Sequence, residues 1–178
     1  MTKKALLLAM LIATPAFAQA PAAAASPGVG AAKQTWSTMV GYFTAAAEQV
    51  PEADYAFKPV ETVRTFGQMV GHLAGSQNMM CAAALGEPVK GEEDIEKSVT
   101  TKAGLVAALK ASNEYCARAY GISDADATGR TKLFGQDMSK MFTLSLNAAH
   151  AGEHYRNLVT YMRIKGMVPP SSQPRPAQ

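Results

Sequence analysis

Residues 65–86 read T-F-G-Q-M-V-G-H-L-A-G-S-Q-N-M-M-C-A-A-A-L-G. Thr65 and Gln68 stand in the Thr-x-x-Gln spacing of a capping box, which satisfies two backbone amides reciprocally at a helix start. No proline interrupts the next seventeen residues. Gly86 is the residue type that leaves a helix through the left-handed region at no steric cost. The stretch therefore predicts one helix from the Thr65 cap to Leu85.

Working outward, three further helices are predicted. Helix 1 spans about Ala31–Gln49, with Trp36, Met39, Val40, Phe43 and Ala47 at helical spacing and Pro51 as its stop. Helix 3 spans about Lys102–Tyr120, capped by Thr101, with Leu105, Leu109, Ser112 and Cys116 on one face. Helix 4 spans about Gln136–Lys165 and is stopped by Gly166 and Pro169. Sustained β-branched alternation is absent. The fold class is all-α, and four amphipathic helices in one domain read as a four-helix bundle. The connections 51–64, 87–100 and 122–135 are long for a bundle. Fourteen extended residues reach about 46 Å, so any of the three can run the length of the bundle.

The ends read differently. Lys3 and Lys4, the apolar run Ala5–Ala13 and the Ala16-Phe17-Ala18 box have the form of a secretory signal peptide over 1–18. The apolar run falls short of the roughly 20 residues that a membrane span needs. Residues 19–30 are Ala, Pro, Gly and Ser-rich and read as a flexible leader. Residues 169–178 read as a disordered tail, which leaves 31–168 for the bundle. The expected compartment is the periplasm, with no membrane insertion after signal cleavage. The chain has 178 residues, 48% of them hydrophobic, enough for one core. Its 17 Lys and Arg against 14 Asp and Glu give a near balance that argues against nucleic acid as a partner.

The chain has three histidines, His72, His150 and His154, and all fall inside predicted helices. His150 and His154 are four apart, so both rings leave one face of helix 4 about one turn apart. His72 lies inside helix 2. If helices 2 and 4 are neighbours, the three imidazoles can converge on one ion with positions left for water. The face of helix 4 around His150 is polar, since Asn147, His154, Asn157 and Tyr161 fall within about 60° of it. Such a stripe suggests a lined cavity. The competing reading is structural, because i, i+4 histidine pairs arise by chance. His150-Ala151-Gly152-Glu153-His154 also matches the H-x-x-E-H motif of inverted zinc peptidases. That chemistry needs a further acidic ligand downstream, and no Asp or Glu follows Glu153. Glu-x-x-His pairs for a di-iron centre and C-x-x-C-H for haem are absent. The ten Met are read as core filling rather than copper ligands.

Val50–Pro59 (V-P-E-A-D-Y-A-F-K-P), Val63–His72 (V-R-T-F-G-Q-M-V-G-H) and His150–Pro170 (H-A-G-E-H-Y-R-N-L-V-T-Y-M-R-I-K-G-M-V-P-P) resemble the DinB-like (DinB/YfiT-type) superfamily of metal-binding bundles. The resemblance covers nearly all of 31–170. It implies an up-down-down-up bundle with the long crossover between helices 2 and 3. It also implies one histidine ligand in helix 2 and two in helix 4, which match His72, His150 and His154. The activities it implies are thiol-dependent transfer or isomerisation, and many relatives have none assigned. A signal peptide departs from that pattern, because the usual thiol pools are cytosolic.

The reading is thus an exported bundle that binds one divalent transition metal, Zn before Ni or Fe. As an enzyme it would be a metal-dependent hydrolase or thiol-type transferase of a small molecule, with Glu153 as candidate proton carrier. The alternatives are a binding module without turnover and, more remotely, the inverted-motif peptidase. A homodimer is compatible with this reading. Cys81 and Cys116 lie about fifteen and fourteen residues into helices 2 and 3, so they match in height only if those helices run parallel. The residues leave that orientation open. The resemblance implies the parallel pair, and an exported chain would meet an oxidising compartment in which the two can form a disulfide.

Overall fold

In the computed structural model, which describes residues 26–174, the Thr65 hydroxyl accepts from the Gln68 amide at 3.1 Å. Gln68 Oε1 accepts in turn from the Thr65 amide at 2.9 Å. The capping box is present, and α2 runs over Phe66–Leu85 until Gly86 leaves it at φ +74°. The other long helices are α1 (Pro27–Gln49), α4 (Lys102–Ala119) and α6 (Lys140–Ile164). Two short helices lie in the connections, α3 (Asp94–Ser98) between α2 and α4, and α5 (Asp124–Ala127) after α4. The four helices predicted from the sequence are thus α1, α2, α4 and α6.

Side-chain registers give the topology. Along α1 and α6, Met39 meets Gly152 and Tyr42 stacks on Tyr155, so these helices run parallel. Along α2 and α4, Gly67 meets Leu105, Gln77 donates to Ser112, and Cys81 meets Cys116. That pair is parallel too. Between α2 and α6 the order reverses: Arg64, just before α2, meets Tyr161, and Cys81 meets Asn147. The bundle is up-down-down-up, and the segment carrying α3 is the crossover. Phe43, Phe66, Leu73, Leu109, Leu144 and Leu158 fill its centre without solvent exposure beyond a few per cent. Among the described residues no helix is long and apolar enough to cross a membrane.

The parallel α2–α4 pair brings the two thiols to one height. Cys81 and Cys116 form a disulfide with Cα atoms 5.3 Å apart.

Three boundaries differ from those the sequence predicts. Helix 4 does not begin at Gln136, because Gln136–Ser139 is a strand (β2) that pairs antiparallel with β1 (Arg130–Leu133). Phe134 and Gly135 at the turn both take positive φ, 52° and 74°, as a tight hairpin turn requires. Four-residue strands are too short to show alternation, and Ser139 starts α6 by accepting from the Phe142 amide. The leader expected over 19–30 gives way to α1 at Pro27. The Asp124 carboxylate accepts from the Gly28 and Val29 amides at 3.0 and 2.8 Å, so the first residue of α5, distant in sequence, caps a stretch whose composition suggests flexibility. The tail expected from 169 is docked as far as Gln173. Pro169 is buried, the Tyr155 hydroxyl donates to Ser171 Oγ, and Gln173 donates to Gln49. The signal peptide expected over 1–18, residues 19–25 and residues 175–178 lie outside the described residues.

Candidate metal centre

His72 sits one and a half turns into α2, on the face packed against α6. His150 and His154 leave α6 on adjacent turns, as their spacing predicts. The antiparallel pairing brings all three to one level. Ring centroids lie 4.2 Å apart for His150–His154, 4.7 Å for His72–His154 and 5.3 Å for His72–His150. One ring nitrogen from each lies within 4.8 Å of the other two. Nε2 of His150 and Nε2 of His154 face each other at 3.1 Å. Two imidazoles that share a tetrahedral zinc ion hold their nitrogens about 3.4 Å apart.

The electrostatics suit a cation. His72 and His154 are almost fully buried and His150 half-buried. Burial lowers the His72 ring to about 4, helped by Arg64 and His150, with Glu93 opposing. Burial, then His150, His72 and Arg64, lowers His154 to about 3. Burial lowers His150 as well, against the pull of Glu153. All three are therefore neutral at pH 7, the form in which imidazole binds metal. Nδ1 of His72 and Nδ1 of His154 are buried without a hydrogen-bond partner among the described residues. Buried orphan nitrogens cost stability. Three neutral, convergent imidazoles are a donor set that fits a borderline divalent ion.

The surroundings contain residues that the sequence does not single out. Arg64 Nε donates to both oxygens of Glu96, at 3.2 and 3.0 Å. Glu96 Oε2 lies 3.7 Å from His72 Nδ1, and Glu92 Oε1 lies 3.6 Å from His72 Nε2. Both carboxylates come from the crossover, which reaches α2 over two glycines. A Cβ at Gly71 would sit 2.8 Å from the Glu96 Cα, and one at Gly75 would overlap the Glu92 carbonyl oxygen. Acidic residues in a connection and a five-residue helix carry no periodic signal. The small-residue pair at i, i+4 on α2 is the only trace of this approach in the sequence.

A cleft of about 640 Å³ opens beside His154. Lys58, Arg64, Met69, Glu96, Asn157 and Tyr161 line it. The polar stripe of α6 therefore divides. Asn157 and Tyr161 face the cleft, and the Tyr161 hydroxyl donates to the Arg64 carbonyl. His150 and His154 form the cluster. Asn147 lies deeper, donating to the Tyr120 hydroxyl beside the disulfide. Glu153 is exposed, with Oε2 4.0 Å from Nδ1 of His150, on the side of the ring away from His154.

The DinB superfamily model matches residues 34–158. Three solved structures have a similar fold. A DinB-like protein from Bacillus cereus ATCC 10987 superposes with a TM-score of 0.68 and 17% identity, over 79% of this chain and 95% of that one. YfiT from Bacillus subtilis, a probable metal-dependent hydrolase with an unusual four-helix bundle topology, gives 0.63 and 16%, over 84% and 94%. A variant of the mycothiol-dependent maleylpyruvate isomerase gives 0.59 and 14%, over 73% of this chain and 60% of that one. No curated protein matches the chain.

Proposed function

The chain belongs to the DinB superfamily, and on that premise we propose that it binds one divalent transition metal through His72, His150 and His154 and uses it on a small molecule held in the adjoining cleft. The observation that carries the reading is the convergence of three neutral imidazoles, one ring nitrogen of each within 4.8 Å of the others. Zinc suits this ligand set best, and nickel or iron can take the same place. Once bound, such an ion supplies a Lewis acid that activates a water or a thiol. The reaction class is then hydrolysis or thiol-type transfer. The metal-dependent hydrolysis ascribed to YfiT and the mycothiol dependence of the isomerase, both similar in fold, support these two classes.

The chain's own residues have separable roles. His154 presents its ring to both the cluster and the cleft, so a ligand in the cleft lies against the metal position. Asn157 offers an amide at the cleft wall, and Met69 an apolar contact. Glu153, by contrast, faces the outer nitrogen of His150 rather than the cluster. That placement suits a carboxylate that orients the His150 ring. It does not suit the general base of an inverted zinc peptidase, which must face the metal-bound water. The alternative of a non-catalytic binding module draws on the cleft cations: Arg64 is paired with Glu96 and Lys58 with Glu61, leaving neither charge aimed at a substrate. Export to the periplasm is part of the proposal, supported by the lysine-led apolar N-terminus and by a disulfide of the kind that persists in oxidising compartments.

Metal analysis of the native protein, purified from the periplasm without chelators or an affinity tag, tests the reading. About one divalent ion per chain is expected, lost on substitution of the three histidines by alanine. Unchanged metal content in that triple variant would overturn it.

A further inference from the structure

His72 differs from the other two histidines in what surrounds it. His150 and His154 come from one helix, and their Nε2 atoms meet. His72 comes alone from α2. Its Nδ1 is buried without a hydrogen-bond partner among the described residues, and Glu96 Oε2 stands 3.7 Å away. Most metal-bound histidines donate their second ring N–H to a carboxylate or a carbonyl, which sets the tautomer and the ring angle.

We propose that Glu96 is the positioning residue for His72: its carboxylate accepts the Nδ1 proton and so leaves the Nε2 lone pair for the metal. The proposal rests on the metal-binding reading above. Three observations support it. Glu96 is itself held, since Arg64 donates to both its oxygens and the side chain is only 13% exposed. The approach is built into α2, because only glycine at position 71, one residue before His72, lets the Glu96 backbone come so near. The remaining gap is short: closing 3.7 Å to a hydrogen bond of about 2.9 Å takes less than 1 Å of side-chain movement. Arg64, Glu96 and His72 then form a chain that runs from the cleft wall to the cluster. In it the crossover does more than connect α2 to α4. It contributes the group that holds the proton on Nδ1, in competition with Glu92, whose Oε1 lies 3.6 Å from Nε2. Glu93 on the same segment serves as a control for charge alone, as it is exposed, paired with Lys97 and reaches His72 only through its field.

The test uses the full mature chain. Long-range proton–nitrogen correlation spectra of the metal-free protein report the His72 tautomer directly, without any variant. The proton is expected on Nδ1, and Glu96→Ala is expected to release it. In zinc titrations Glu96→Ala should bind about tenfold more weakly, while Glu96→Gln, whose amide oxygen still accepts, should stay within about threefold of the parent. Glu93→Ala should match the parent. A wild-type His72 protonated on Nε2, or equal zinc affinity in Glu96→Ala and the parent, would sink the proposal while leaving the three-histidine site intact. Failure of the parent chain to bind zinc, nickel or iron would sink the metal reading itself, and the proposal with it.

Discussion

The face that α2 turns toward α4 and the face it turns toward α6 treat buried polar groups in opposite ways. Toward α4, Gln77 has no solvent exposure, yet its oxygen accepts from Trp36 Nε1 at 2.6 Å and its amide donates to Ser112 and Asn113. One turn on, Cys81 is bonded to Cys116. Toward α6, at the level of the cluster, His72 and His154 each bury a ring nitrogen with no partner among the described residues. The first seam is complete without any added group. The second leaves these two nitrogens, and the Asn147 Oδ1 deeper in, unpaired among the described residues. A buried polar group left unpaired costs about 1–3 kcal/mol. A fold that satisfies Gln77 three ways and leaves two imidazole nitrogens open a turn away concentrates that cost at the histidine cluster.

Breaking the α6 seam should have the largest effect. His72→Ala or His150→Ala should lower metal occupancy at least about tenfold, since even losses outside the coordination sphere reach that size. The triple alanine variant should bind none, as read by equilibrium dialysis with elemental analysis. Retention of tight binding after His72→Ala would mean that the α6 pair works alone and that the comparison is mistaken.

Breaking the α4 seam should cost stability rather than metal. Removing the disulfide, which links positions 35 residues apart, should lower unfolding free energy by about 3–4 kcal/mol in the chain-entropy model. Mass spectrometry of the native protein without reductant should find no alkylatable thiol at Cys81 or Cys116. Gln77→Leu removes the partner of Trp36, Ser112 and Asn113 and should cost about 1–3 kcal/mol, with metal affinity unchanged. Loss of metal in Gln77→Leu at full folding would show that the seams are coupled.

Acid sharpens the contrast in the metal-free chain. His72 and His154 titrate near 4 and 3 when folded and near 6.5 when unfolded, so the unfolded state binds more protons in between. Their contribution is fully present above about pH 6.5 and is lost as pH falls toward 4. The melting temperature of apo protein should therefore drop between pH 7 and 4.5, and the drop should shrink in a variant lacking both rings. The smallest effect is expected of Glu153→Gln: metal content should stay within about twofold of the parent, because the carboxylate lies outside the cluster. Peptide cleavage that vanishes with Glu153→Gln would revive the inverted-peptidase motif.

The four long helices are legible in the sequence because each carries its own local signals: a capping box at Thr65, a glycine exit at Gly86, threonine and glycine bounds on α4. The histidine pair is legible because i, i+4 is a property of one helix. What lies beyond reach depends on distant partners. Residues 27–30 are helical because Asp124 caps them, and residues 169–173 are ordered because Tyr155 and Gln49 hold them. Glu92 and Glu96 look like ordinary loop acids until the crossover is laid over Gly71 and Gly75. The Cys81–Cys116 pair lies between these cases. Its heights follow from the sequence, but its helix orientation comes only through the family resemblance.

The disulfide also decides what a broken chain would be. A protease cut between the exposed Lys90 and Gly91 would place His72 on one fragment and His150 and His154 on the other. Because Cys81 lies before the cut and Cys116 after it, the two fragments would stay tethered through sulfur. The nicked molecule would travel as one body until reduced, still holding all three imidazoles opposite one another. The bond thus keeps both halves of the cluster on one molecule even when the backbone that crosses over it is cut.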